Sequence, residues 1–212
     1  SDKALLRLVT SANVACGLHA GDAHTMRATV ALAVSHAVAV GAHPGYDDRE
    51  GFGRRPQHLT ADEIRDVLLY QLGALGAIAR MEGTRLGHVK PHGALYNQAE
   101  NDGPLAAAII AAVRAFDPEL RLVGRAGSAM AGAAAAVGHP FTPEAFADRR
   151  YEPDGSLRSR KFADALITDL AAAAAQALRF AREGRAQTIC VHGDTPGAVE
   201  ILKACREALL YQ

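Results

Sequence analysis

Leu86-Gly-His-Val-Lys-Pro-His-Gly-Ala-Leu-Tyr-Asn97 holds the unit from which the fold is read. A short apolar run, Leu86–Val89, has the length of a buried strand. Lys90-Pro-His-Gly93 then breaks it, since proline and glycine punctuate regular structure. The same order of apolar run, Gly/His/Pro-rich turn and longer amphipathic stretch recurs along the chain. Leu8–Ala15 is a strand, followed by the turn Cys16–His24 and a helix over Thr25–His36. Ala37–Ala42 is the next strand, and a long loop spans His43–Leu59. Thr60-Ala-Asp-Glu63 is a capping box, opening a helix to about Met81 with Ile64, Val67, Leu68, Leu72 and Leu75 on one stripe. Further strands are expected at Leu120–Val123, Pro143–Phe146 and Thr188–Val191, with helices to Phe116, over Ser128–Val137, from Asp169 to Glu183, and to Leu210.

Alternating short strands and helices make βαβ units around a parallel sheet, the α/β class. Six strand–helix cycles can be counted, and no linker or composition shift divides residues 1–212, so the chain reads as a single β/α-barrel domain. At 212 residues it is short for a complete eight-fold barrel of ~250. Lys+Arg and Asp+Glu balance at 23 each, which leaves no electrostatic footprint for nucleic acid or an anionic membrane surface. No apolar run approaches the ~18 residues of a membrane span. Cys16, Cys190 and Cys205 are an odd, scattered set without CxxC, arguing against a disulfide framework or a structural zinc site. A soluble protein of a reducing cytoplasm is expected.

Chemistry gathers where the strands end. His19 in C-G-L-H-A-G-D, His43 in G-A-H-P-G-Y-D, His92 in K-P-H-G-A-L-Y-N and His192 in V-H-G-D-T-P-G each follow a predicted strand and have a glycine close by. In parallel α/β folds the loops after the strands carry the catalytic residues. Asp22 lies three residues after His19, Asp47 four after His43, and Asp194 two after His192. A carboxylate beside an imidazole orients it and raises its basicity. The same residue types can hold a divalent metal, and spacing does not choose between the two roles. Helix capping is the plain alternative for Asp22 and Asp194. Lys90 suits an oxyanion, a phosphate or a carboxylate. Asn13, Tyr96 and Asn97 are hydrogen-bonding candidates, and Arg54, ahead of Arg55, suits an anionic substrate. His88, inside a strand, can point to either face. Cys16 reads as a small buried hydrophobe rather than a nucleophile. Neither a Walker A sequence nor GxGxxG is present, so the chain has no self-sufficient nucleotide site.

Taken in order, S-A-N-V-A-C-G-L-H-A-G-D (11–22), G-A-H-P-G-Y-D-D (41–48), G-F-G-R-R (51–55), V-K-P-H-G-A-L-Y-N (89–97), F-A-D-R-R-Y (146–151) and T-I-C-V-H-G-D-T-P-G-A-V (188–199) resemble the LamB/YcsF family, the A subunits of bacterial ATP-dependent 5-oxoprolinases. The resemblance covers nearly the whole chain. It implies a barrel related to the seven-stranded glycoside hydrolase/deacetylase folds. It also implies a hydrolase that opens 5-oxo-L-proline to L-glutamate, with ATP as co-substrate and subunits B and C as partners. Family members begin with a strand carrying D-L-N-x-D-x-G-E, which has no counterpart here, so one strand is expected to be missing. They also carry a short insertion before T-I-C-V-H-G-D that this chain lacks. His19, Asp22, His43, Lys90, His92, His192 and Asp194 are the candidate catalytic residues, and Asn13, Asp47, Arg54, Tyr96 and Asn97 the candidate substrate-binding ones. Rival readings are a metal-dependent deacetylase or amidohydrolase on the same barrel, and a non-catalytic substrate-binding subunit.

Overall fold

In the computed structural model, residues 2–210 are described, and they fall into two compact units. One spans Thr10–Thr142; the other joins the chain up to Val9 with the chain from Pro143 onward.

The Thr10–Thr142 unit holds four parallel strands in sequence order: β1 (Ser11–Ala15), β2 (Ala39–His43), β3 (Leu86–Val89) and β4 (Arg121–Arg125). Helices α2 (Ala23–Ser35), α3 (Ala61–Met81), α5 (Gly103–Phe116) and α6 (Ala129–Ala136) connect and cover them, with a short α4 (Gly93–Ala99) directly after β3. α3 packs on α5, and α5 on α6. The stripe read from the sequence lies inward: Ile64, Leu68, Leu72 and Leu75 of α3 are buried beside Ile109 and Val113 of α5. Removing that apolar surface from water is what holds helix to helix. The capping box forms as expected, Thr60 Oγ1 accepting from Glu63 N and Glu63 Oε2 accepting from Thr60 N.

The other unit is built on β5 (Phe141–Phe146), whose residues from Pro143 belong to it, paired in parallel with β6 (Thr188–Cys190). α7 (Leu170–Glu183) packs against α8 (Ala198–Leu210), and α1 (Asp2–Leu6) also meets α8. Ala147, Ile167, Ala173, Ala177, Ile201 and Cys205 form its core. The small alanines let α7 and α8 approach closely. The polar stretch before α7 is tied by two antiparallel bridges, Arg149 to Leu166 and Tyr151 to Leu157.

The chain is thus α/β, with parallel strands each followed by a helix. Six strands are found among the described residues, against the seven implied by the resemblance. None of the described helices is long and apolar enough to cross a membrane.

Candidate active site

Three of the four histidines after strand ends come together in the Thr10–Thr142 unit. His19 follows β1, His43 ends β2 and His92 follows β3. The His19 and His92 rings stack at 3.9 Å and 6°. His43 stands edge-on to both, and its Nε2 lies 3.0 Å from His92 Nδ1. The outer nitrogens of this pair meet backbone carbonyls: His43 Nδ1 lies 2.6 Å from Lys90 O, and His92 Nε2 lies 2.8 Å from Phe52 O. Burial, followed by the charges of His92, Lys90 and His19, holds the His43 imidazole well below the ordinary range. Burial, then His92, Arg49 and Arg54, pushes His19 down to about 3.

The loop after β2 shapes this cluster. Asp48, two residues past Tyr46 and almost wholly buried, accepts from Gly51 N and from the Arg55 amide and guanidinium. Arg55 is therefore a structural ion-pair partner. Arg54 instead lies over the Phe52 ring at 5.0 Å. Arg49 Nη2 donates to Gly17 O and Gly21 O, 2.6 Å each, tying the loop after β1 to the loop after β2. Phe52 has φ of 53°, a left-handed conformation that is costly for a bulky residue and concentrates at functional sites. Gly93 is required where it is: at φ 56° a Cβ would stand 2.5 Å from Gly53 O, which accepts from Ala94 N. From α3, the fully buried Gln71 reaches Gly45, its Nε2 donating to Gly45 O (2.9 Å) and its Oε1 accepting from Gly45 N (3.0 Å).

Lys90 is buried, its Nζ 5.7 Å from the centre of the buried Tyr96 ring. Asn13 Oδ1 lies 2.8 Å from His88 Nε2. Asn13, Gly41 and His88 share one register row, and His88 reaches Asn13 only because Gly41 has no side chain: a Cβ there would lie 2.0 Å from the ring. Burial, then Lys90, brings His88 down to about 4. Asp22 caps α2, accepting from Thr25 N at 2.7 Å. Asp47 and Asn97 are exposed. Cys16 is buried, its thiol donating to Val14 O, and burial pushes it up to about 12, which excludes a ready thiolate.

His192 belongs to the other unit, and the carboxylate that holds it is Asp148 rather than the neighbouring Asp194. Asp148 is fully buried and accepts from His192 N (2.9 Å), His192 Nδ1 (3.0 Å) and Thr195 Oγ1 (2.5 Å). Burial alone would raise its carboxyl; the hydrogen bonds and charge of His192, with Thr195, outweigh burial and lower it. Asp148 thus holds Nδ1 of the ring as a donor. The ring stacks on Phe146 at 5.2 Å and 10°. Asp194 sits 3.4 Å from Arg160 Nη1 instead. Asp148, Asp48 and Gln71 were not among the residues singled out in the sequence. The one signal for Asp148 was its place in F-A-D-R-R-Y.

Among the described residues no group of three or more His, Cys, Asp or Glu is arranged to hold a metal ion. What the arrangement does offer is imidazoles of set orientation beside cationic side chains, the equipment of proton transfer and anion stabilisation.

Comparison with known proteins places the chain in a family. The LamB/YcsF family model matches residues 1–212. The chain is 53% identical to the 5-oxoprolinase A subunit of Methylococcus capsulatus, over 98% of this chain and 85% of that protein. It is 49% identical to that of Bordetella pertussis, over 99% and 88%. The crystal structure of the lactam utilization protein of Thermus thermophilus superposes with a TM-score of 0.93 at 44% identity, covering 100% of this chain and 89% of that one. Family model, relatives and fold agree over essentially the whole chain, which is a member of the LamB/YcsF family.

Proposed function

We propose that this chain is the A subunit of an ATP-hydrolysing 5-oxoprolinase, a cytoplasmic hydrolase that opens the lactam of 5-oxo-L-proline to L-glutamate together with subunits B and C. The observation that carries the reading is the near-full-length agreement with relatives named as 5-oxoprolinase A subunits.

A five-membered lactam is a resonance-stabilised amide; phosphoryl transfer from ATP to the amide oxygen, releasing ADP, would activate its carbonyl, and attack of water with loss of phosphate would then open the ring to glutamate. No phosphate-cradling motif occurs in this sequence, so nucleotide binding is assigned to the assembled complex. This chain's own residues handle the proton and the charge. In its own unit, His192, oriented by Asp148, serves as an acid–base group. Lys90 and the histidine cluster oppose negative charge on the reacting oxygen. Arg54 grips the substrate carboxylate, with Asn13 and Tyr96 as hydrogen-bonding partners.

The test is glutamate release from 5-oxoproline by the full-length protein, with and without ATP and subunits B and C. Release only from the complete set with ATP is expected. No release from a folded, complete assembly would overturn the reading, and chelator-sensitive hydrolysis of another amide without ATP would favour a metal-dependent amidohydrolase. His43→Ala and His92→Ala should each lower turnover at least ~100-fold while leaving the circular dichroism spectrum unchanged. Near-normal turnover in either variant would remove that residue from the mechanism.

A further inference from the structure

The hydrogen bonds of the histidine cluster need more protons than neutral imidazoles carry. His43 Nδ1 faces Lys90 O, His92 Nε2 faces Phe52 O, and His43 Nε2 faces His92 Nδ1. A carbonyl oxygen only accepts, so both outer nitrogens carry hydrogen. A neutral imidazole has one N–H, and each ring has already directed it outward. The middle contact would then oppose two lone pairs at 3.0 Å. One more proton turns that repulsion into a charge-assisted hydrogen bond.

Which ring holds it follows from the surroundings. His43 resists charging because of its burial and the cations around it. We infer that His92 is an imidazolium at neutral pH, donating through both ring nitrogens, while His43 stays neutral, donating to Lys90 O and accepting from His92. Two features fit this independently. Phe52 keeps its strained left-handed backbone with its carbonyl aimed at His92 Nε2, and a charge-assisted bond there offsets the strain. His19 lies flat on His92, a neutral ring face against a cation.

The stacked pair therefore holds opposite roles. His92 is a fixed positive charge. His19, with no hydrogen-bond partner at Nδ1, is kept neutral. Around His19 and His43 the side-chain charges besides the other histidines are Lys90, just after β3, and Arg49 and Arg54 in the loop after β2, all cationic. They oppose charge on those two rings, which leaves His92, with acceptors at both nitrogens, as the ring that holds the proton. The chemical use of this charge, opposing the oxyanion as the lactam opens, rests on the proposed function; the protonation state does not.

Full-length protein labelled with 15N-histidine, assigned through single-histidine variants, reads the state directly from imidazole nitrogen shifts. The expected result is two protonated nitrogens on His92 at neutral pH, with His19 and His43 neutral. His43→Leu removes the acceptor and should return His92 to a neutral ring, whereas His43→Gln, whose amide can accept from His92 and donate to Lys90 O, should retain the imidazolium. In His92→Gln the loss of charge should raise the protonation midpoint of His19 by about one pH unit. A neutral His92 in the wild-type spectrum would overturn the inference, as would stoichiometric metal bound at the two facing nitrogens. If His43→Leu does not fold, the wild-type spectrum decides alone. Because it is recorded without substrate, an inactive complex would count against the proposed function and leave this result standing.

Discussion

Asp148 is a buried carboxylate surrounded by donors, and its removal should be felt through His192. In Asp148→Asn the side chain keeps its shape but no longer stabilises a charged ring or enforces the Nδ1–H tautomer. Turnover of the assembled complex should fall by about 10²- to 10⁴-fold, as for loss of the orienting carboxylate in a catalytic triad. Steady-state kinetics would reveal it, and near-wild-type turnover would mean that Asp148 only supports the fold. Cys16 gives a prediction of the opposite kind. Its buried thiol, raised to about 12, should stay unmodified by iodoacetamide in the native protein at neutral pH and react once urea exposes it; mass spectrometry distinguishes the two. Asp148 was hard to see in the sequence because it lies 44 residues from His192. Asp194, two residues away, was the obvious local partner, yet its carboxylate lies by Arg160.

Elements were more legible than side-chain partners. Strands β1 to β6 each lie within or overlap the apolar runs that predict them, because a buried parallel strand needs such a run. The capping box marked the start of α3 to the residue, since its hydrogen bonds are local. Thr60→Ala should cost about 1 kcal/mol of stability, checked by urea unfolding; no measurable loss would mean the helix start is held by packing alone. The seven-residue α4 was missed: its N-terminal Gly93, at positive φ, reads as a turn. The five-residue α1 was missed too, its helical signal being too short. The partners of the long loop after β2 were also invisible. Asp48 looked equivalent to Asp47 in the sequence, and only the folded loop separates a buried carboxylate from an exposed one.

For the whole molecule, the histidines set an acid limit on stability. His19 and His88 are held near 3 and 4 against an ordinary value of 6.5, and His43 well below it. Below 6.5 the unfolded chain binds protons that these three folded sites refuse, so their contribution is full above that pH and declines as pH falls toward the folded values, outweighing the single proton that His92 already holds. Asp148, lowered from 3.8, contributes stability above that value and loses it only in stronger acid. Urea midpoints should therefore drop steadily between neutral pH and about 4, before carboxylate protonation adds to the loss. A flat profile over that range would contradict the neutral state of the buried histidines.

Gln71 imposes a narrower demand. Its side-chain amide imitates the peptide group of an adjacent strand, completing a one-rung ladder with Gly45 from the flank of a helix. Asparagine is one methylene too short for that reach, glutamate lacks the donor, and lysine lacks the acceptor. Randomising position 71 and selecting for growth on a lactam should therefore return glutamine almost alone, at a position wholly buried from solvent.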